Sequence, residues 1–313
     1  MGLPLDYGCL GSCATLLVNA TEFEPCFTSA HRLIIEETDK LIEGLGVLLK
    51  AYGVPKAIIA VEKNEIRLHE HIQHMSAKIS GLSVQEVARP YPVTIGDIIR
   101  QYNQAAGDGS TVVVDPGLLA AAYDAYVQGI PFTRQLITVC GSGIAKPGNL
   151  WVPCGTLIAD IINFTGGDLS TVGRVSFGGP MMGIPQQTPD VPVVKNLRGI
   201  FAAAALVFEE NHHSRFYQQC DCVRCGKCVD VCPAELQPHR ITELVECRYL
   251  DDAVALGLFS CLECGLCYFV CPSQIPLSII IKLGKVTIKG KESLLVGQHY
   301  KSLLTITKKE YPQ

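Results

Sequence analysis

Long apolar runs are scarce in this chain. The longest, Gly199 to Phe208, covers about ten residues against the ~20 that a membrane-spanning helix needs. Any membrane association is therefore expected to come through a partner. Charge is scarce too: 18% of the 313 residues are charged, and the net charge is −4, which offers no basic surface for a nucleic acid. The opening Met1-Gly-Leu-Pro-Leu-Asp6 lacks the charged start and apolar run of a secretory signal. With 48% hydrophobic residues, the chain can bury a real core and has room for two or three domains.

Cysteine, by contrast, is abundant, at 15 residues. Eight of these fall into one pattern used twice. Cys222-Val-Arg-Cys225-Gly-Lys-Cys228-Val-Asp-Val-Cys232-Pro233 is followed by Cys261-Leu-Glu-Cys264-Gly-Leu-Cys267-Tyr-Phe-Val-Cys271-Pro272. This C-x2-C-x2-C-x3-C-P run is the bacterial ligand pattern for [4Fe–4S] clusters. Three thiolates two residues apart can wrap three corners of a cubane from one tight loop. The fourth sits where a helix begins, and the proline after it loses nothing by lacking an N–H. In two-cluster proteins the fourth cysteine serves the other cluster. The expected sets are therefore Cys222, Cys225, Cys228 and Cys271 for one, and Cys261, Cys264, Cys267 and Cys232 for the other. Zinc sites more often use two separated cysteine pairs. Cys220 and Cys247 fall outside both sets and read as bystanders. Cluster thiols must stay reduced, so the chain is expected in the cytosol, in an anaerobe or a protected setting. Apolar neighbours such as Val229, Val231, Leu262, Leu266, Phe269 and Val270 would keep water off the sulfurs and tune their potential.

Upstream, strands alternate with helices. Leu16–Asn19, Lys56–Glu62 and Val112–Val114 read as strands. Ser29–Tyr52, Glu65–Lys78, Thr94–Ala106 and Gly117–Gln128 read as helices on their apolar spacing. Gly53 stops the first of these. That alternation predicts a parallel α/β layer over residues 1–130. From Pro131 the texture turns to short strands (Leu136–Cys140, Asn149–Val152) and a short helix, Thr156–Asn163, rich in Gly and Pro. This is an α+β module over 131–195. Its Phe177-Gly-Gly-Pro-Met-Met-Gly183 loop would let backbone come close to a neighbour. Residues 196–209 read as a connecting strand, 210–283 as the helical cluster domain, and 284–313 as a solvated basic tail carrying six lysines, the first being Lys285. His69, His71 and His74 read as a solvated helix face.

Beyond the cluster motifs, these stretches resemble a known family. Asn19-Ala-Thr-Glu22-Phe-Glu24-Pro25, followed by Ala30-His31-Arg32, resembles the Asn-Gly-Ala-Glu-x-Glu-Pro loop of the C subunit of the Rnf ferredoxin:NAD oxidoreductase. A similar loop occurs in the flavoprotein subunit of respiratory complex I. The stretch from Val139 to Gly183 is similar to the SLBB-like β-grasp domain of the same proteins, and the two cluster motifs follow in the family's order. The resemblance covers about residues 14 to 283. It implies an α/β N-terminal layer, a β-grasp α+β module and a helical two-cluster ferredoxin-like domain. It also implies an FMN near the loop, with Asn19, Glu22 and Glu24 facing flavin or nicotinamide. The family's glycine-rich phosphate cradle, expected before Asn19, is replaced here by Gly8-Cys9-Leu-Gly-Ser-Cys13, which does not show the convergence of N–H groups that a phosphate needs. Cys9 and Cys13 are a candidate redox pair in its place.

Three functions follow. The first is an electron-transfer subunit that passes electrons through two [4Fe–4S] clusters from a ferredoxin or flavoprotein donor to a partner reductase, cytoplasmic or peripheral to a membrane complex. The second is an NADH-oxidising FMN protein with the clusters as its exit. The third is an interaction module that the clusters merely staple.

Overall fold

The structure, a computed structural model, describes residues 14–22, 24–63, 65–87, 91–92, 111–195, 197–204 and 219–288. The chain divides into two compact units, residues 1–179 with 189–204 and residues 180–188 with 205–313. The expected helix over Thr94–Ala106, the Cys9/Cys13 pair and residues 289–313 of the basic tail lie outside the described residues.

The first unit opens with a parallel sheet. Strands β1 (Thr15–Asn19), β2 (Ala57–Glu62), β3 (Leu82–Val87) and β4 (Thr111–Val114) lie in the order β3-β2-β1-β4, every pair parallel. Parallel neighbours need helical crossovers, and the sequence supplies them. These are α1 (Ser29–Glu36) and α2 (Thr38–Tyr52) between β1 and β2, α3 (Ile66–Lys78) between β2 and β3, and α4 (Pro116–Val127) after β4. Every residue of β1 and β2 is buried, as expected of strands covered on both faces. One face packs Leu16, Val18, Ile59 and Val61 against Leu41, Leu45, Ile72 and Leu119. The other packs Leu17 and Ile58 with Val87.

Two local expectations are corrected. The single helix over Ser29–Tyr52 is two helices, because Glu37 leaves helical geometry at φ −123°. There the Thr38 hydroxyl donates to the Ile34 carbonyl at 2.6 Å, the kind of back-bond by which threonine competes with the helix ladder. Strand β3 has no counterpart among the sequence expectations. It is an edge strand with only Val87 fully buried, so its apolar signal is thin.

A second sheet continues the same unit: β5 (Arg134–Cys140), β6 (Gly148–Pro153), β7 (Val172–Phe177) and β9 (Gly199–Ala204), in the order β6-β5-β9-β7. Helix α5 (Ile158–Phe164) lies between β6 and β7 in the chain. Its core holds Ile137, Val139, Ile158, Ile162, Val175 and Ile200. Strand β9 pairs parallel to β5 and antiparallel to β7. The stretch read as a connecting strand is a strand over Gly199–Ala204, placed inside the second sheet between β5 and β7, which is what an unbroken run of small and apolar residues suits.

The second unit contains the short strand β8 (Ile184–Gln186) and helices α6 (Lys227–Asp230), α7 (Pro238–Glu246), α8 (Leu250–Ala255), α9 (Leu266–Phe269) and α10 (Leu277–Ile288). Ile241, Val245, Leu258, Ile280 and Ile281 form its core together with Cys267 and Cys271. Helix α10 carries Lys285 inside its last turn, so the first lysine assigned to a solvated tail is in fact packed.

Candidate functional site

The two cysteine motifs fold as repeats. Positive φ values occur at Arg224, Gly226 and Glu235, and recur at Glu263, Gly265 and Gln274. Each pair holds the same place in its motif, so the two loops trace one backbone path. At Gly265 the requirement is double. Its φ is +79°, and a Cβ there would run into the Met181 carbonyl. The close approach expected of the 177–183 loop is found at this point, and again at Gly179, where a Cβ would lie 2.6 Å from the Glu24 carboxyl carbon.

Cys222, Cys225, Cys228 and Cys271 line one open-sided cavity, together with His239 and Ile275. Cys232, Cys261, Cys264 and Cys267 line a second, with Leu236, Leu266 and Ile281. Each cavity takes three thiols from its own loop and one from the other. Zinc at about 2.3 Å from each sulfur would draw four thiols to one point. Among the described residues, no three His, Cys, Asp or Glu side chains close on a single ion. An all-thiol set spread around an apolar hollow fits a cluster.

The two cavities differ in their surroundings. Cys222 and Cys225 are exposed, whereas Cys264 and Cys267 are buried. Around the first, the His239 Nδ1 lies 3.8 Å from the Cys228 Sγ. Around the second, the backbone N–H groups of Leu236 and Glu263 donate to the sulfurs of Cys232 and Cys261, each at 3.4 Å. Lys285 Nζ donates to the Cys261 carbonyl at 2.6 Å and sits 3.0 Å from the Glu263 carboxylate. Lys282, itself 5% exposed, reaches the other oxygen of that carboxylate at 3.2 Å. Burial alone would push Glu263 up, but the two ammonium groups outweigh it and hold the carboxyl below its ordinary range. One buried and one mostly buried cation, with one anion between them, leave one net positive charge beside Cys261. Burial pushes the thiols of Cys228, Cys261 and Cys264 up. With the charges of Cys261 and Cys264 adding to burial, it pushes Cys267 to about 12. These four thiols therefore hold their protons until metal displaces them.

The carboxylate loop of the first unit is committed internally. Asn19 Oδ1 accepts from the Thr21 N–H at 3.1 Å and from its hydroxyl at 2.7 Å. Glu22 Oε1 accepts from the N–H groups of Ala30 (2.8 Å) and His31 (3.2 Å), capping the start of α1 where a helix favours negative charge. Burial still raises its pKa, against the pull of His31, those two N–H groups and Arg198. Glu62, which the sequence motifs do not single out, accepts from the Glu22 N–H at 3.2 Å. Glu24 is 1% exposed. The described residues do not assemble a phosphate cradle, and Asn19 Oδ1 and Glu22 Oε1 accept from the chain itself. The three histidines do not converge: His71 meets Thr38, His74 meets Asp39, and His69 meets Glu62 and Glu86.

Residues 9–100 match the Nuo51 FMN-binding domain, 136–185 the SLBB domain and 215–272 the 4Fe-4S dicluster domain. The C subunit of the ion-translocating oxidoreductase complex of Rhodobacter capsulatus is 32% identical over 288 residues, 89% of this chain and 54% of that protein. The chain is homologous to the C subunits of these ion-translocating oxidoreductases. The C subunit of the proton-translocating ferredoxin:NAD(+) oxidoreductase complex of Clostridium ljungdahlii is 30% identical over 73% of this chain and 50% of its own length. Its Na(+)-translocating counterpart from Acetobacterium woodii is 31% identical over 73% and 52%. The chain thus spans about half the length of the C subunits it matches. In fold it is similar to a chain of the NAD+-reducing [NiFe]-hydrogenase in the H2-reduced state, with a TM-score of 0.50, 16% identity, and coverage of 95% of this chain and 52% of the other. The α/β layer, SLBB module and dicluster domain stand in the expected order.

Proposed function

We propose that the chain is an electron-transfer protein or subunit that relays electrons through two [4Fe–4S] clusters, between a ferredoxin or flavoprotein donor and a partner reductase. The observation that carries this reading is the crossed arrangement of thiols, three from one loop and one from the other around each of two cavities. Bound there, the clusters supply one-electron transfer at a potential set by burial, hydrogen bonds to sulfur and local charge. The ligands would be Cys222, Cys225, Cys228 and Cys271 for the first cluster and Cys261, Cys264, Cys267 and Cys232 for the second. Leu236, Leu266 and Ile281 exclude water from the second site. The N–H groups of Leu236 and Glu263 stabilise thiolate charge there. The more open first site, with two exposed thiols, is the better placed to meet a soluble partner.

Homology to subunits of ferredoxin:NAD(+) oxidoreductase complexes supports redox-protein partners and attachment to a membrane assembly through them. No helix among the described residues is long and apolar enough to cross a membrane. The test is stopped-flow mixing of the anaerobic protein with a reduced low-potential ferredoxin. Bleaching of the visible absorbance, restored by an oxidised flavoprotein, is expected; an absorbance that neither reagent changes sinks the reading. The match to an FMN-binding model favours, as a second reading, an NADH-oxidising flavoprotein. Stoichiometric FMN and bleaching by NADH alone would establish it.

A further inference from the structure

Outside the cluster motifs, two cysteines far apart in sequence meet in the first unit. The turn Glu24-Pro25-Cys26-Phe27 is closed by the Phe27 N–H on the Glu24 carbonyl at 3.3 Å. Cys26 takes the third place of this turn, with φ +71°. That position of a proline-led turn favours glycine, and a side chain there is strained. From the turn the chain runs alongside β5. The Thr28 N–H donates to Thr138 Oγ1 at 3.3 Å, Thr138 and Thr28 share Asn149 at 2.7 and 3.0 Å, and the Phe27 ring lies over Gly199. Two residues before Thr28 is Cys26. Two residues after Thr138, on the same face of the strand, is Cys140. The Cys26 thiol lies close enough to act on Cys140 and oppose its ionisation. Cys26 is exposed and Cys140 is buried, 7% accessible.

We propose that Cys26 and Cys140 are a redox-active dithiol that closes to a disulfide by exchange with a low-molecular-weight disulfide. The exposed Cys26 thiolate attacks one sulfur of the small disulfide. The S–S bond breaks, one small thiolate leaves, and a mixed disulfide stands on Cys26. Cys140 then attacks the Cys26 sulfur, expels the second small thiolate, and the protein disulfide is complete. The small disulfide is reduced by two electrons to two thiols, which take up the two protons that Cys26 and Cys140 give up. The order of attack follows from burial. Burial first, then the charges of Cys26 and Glu24 and the hydrogen bond to Cys26, push Cys140 up to about 12. Cys140 is therefore protonated when the oxidant arrives, whereas Cys26 is accessible. Once Cys26 carries the mixed disulfide, its charge and its hydrogen bond no longer oppose ionisation of Cys140. Closure ties the turn that carries Glu24 to the last residue of β5 in the second sheet. It gives the chain a two-electron couple separate from the eight cluster thiols.

The test uses the full chain with its clusters loaded, kept anaerobic and equilibrated with glutathione at varied oxidised-to-reduced ratios. The samples are then alkylated, digested and mapped by mass spectrometry. The expected product is a Cys26–Cys140 cross-linked peptide, with two alkylatable thiols lost per chain, reversed by excess reduced glutathione and with no change in visible absorbance. Cys140→Ala should accumulate the glutathione adduct on Cys26. Cys26→Gly, which suits the turn, should leave Cys140 unoxidised. Accumulation of a Cys26–glutathione adduct in the unmodified chain overturns the proposal. So does full alkylation of both cysteines at every ratio, or oxidation of Cys140 that persists in Cys26→Gly. Iron content and ferredoxin bleaching, measured on the same samples, report on the electron-transfer reading separately.

Discussion

Replacing Lys285 with glutamine should lower the reduction potential of one cluster and leave the other where it was. Lys285 Nζ is 2.6 Å from the Cys261 carbonyl oxygen, and its side chain is 12% exposed, so water screens it little. Through that carbonyl, the ammonium is on the order of 7 Å from the Cys261 sulfur that would hold the cluster, where at an effective dielectric of about 20 a unit charge is worth roughly 2 kcal/mol. For a one-electron couple, with about 59 mV per tenfold, this comes to ~100 mV at most. A fall of about 50–100 mV is the expected result, since adding an electron to the cluster no longer meets the ammonium charge. Glutamine keeps a donor for the Cys261 carbonyl, so the change isolates charge from the cost of an orphaned acceptor. The assay is a redox titration followed by electron paramagnetic resonance, with Lys285→Arg as the control that keeps the charge. If the wild-type and glutamine titrations superimpose, or if both clusters move equally, the geometry around Cys261 does not govern that potential and the reasoning fails.

Three further outcomes follow from the same structure. Cys232→Ser should impair the cluster built on Cys261, Cys264 and Cys267 and spare the one on its own loop; iron analysis and resonance spectra check this, and loss of the near-loop cluster instead would reverse the crossed assignment. Asp115 caps α4 by accepting from the Leu118 N–H at 3.0 Å and also pairs with Arg198 at 2.8 Å. Asp115→Ala should cost about 1–2 kcal/mol, read from denaturant unfolding by the fluorescence of the one tryptophan, Trp151; a midpoint unmoved within error contradicts it. Glu22 has a raised pKa in the fold, so the folded state binds its proton more tightly than the unfolded chain. Its contribution is fully present below the ordinary value of 4.5 and is lost as pH rises through the higher folded value. Glu22→Gln should flatten that part of the stability–pH curve, again followed by Trp151; an unchanged slope refutes the assignment.

The parts legible in the sequence are those set by local spacing. Leu16–Asn19 and Ala57–Glu62 are continuous apolar runs, and both are buried parallel strands. The cysteine motifs repeat with their glycines in place, and the spacing rule for two-cluster loops leads one to expect the crossed sets, whose thiols line one cavity each. What escapes is decided by distant neighbours. The helix break at Glu37 depends on a Thr38 hydroxyl that meets both Ile34 and His71. In the sequence Lys285 is one lysine of a basic tail; in the fold it pairs with Glu263 of the cluster loop. The family resemblance turns Glu22 and Asn19 toward a cofactor, and in the fold Glu22 Oε1 also receives the start of α1 while Asn19 Oδ1 receives Thr21, contacts that the motif alone does not reveal. Cys26 and Cys140 carry no shared motif, and only the run of residues 26–28 along β5 brings them together.

The most direct measurement is of metal and sulfide on the anaerobically isolated chain, joined to its resonance spectrum after dithionite reduction. About eight irons and eight acid-labile sulfides per chain, with two interacting reduced centres in the spectrum, are what the crossed thiol sets require. Two zinc ions per chain, or a colourless protein free of both metals, would contradict them.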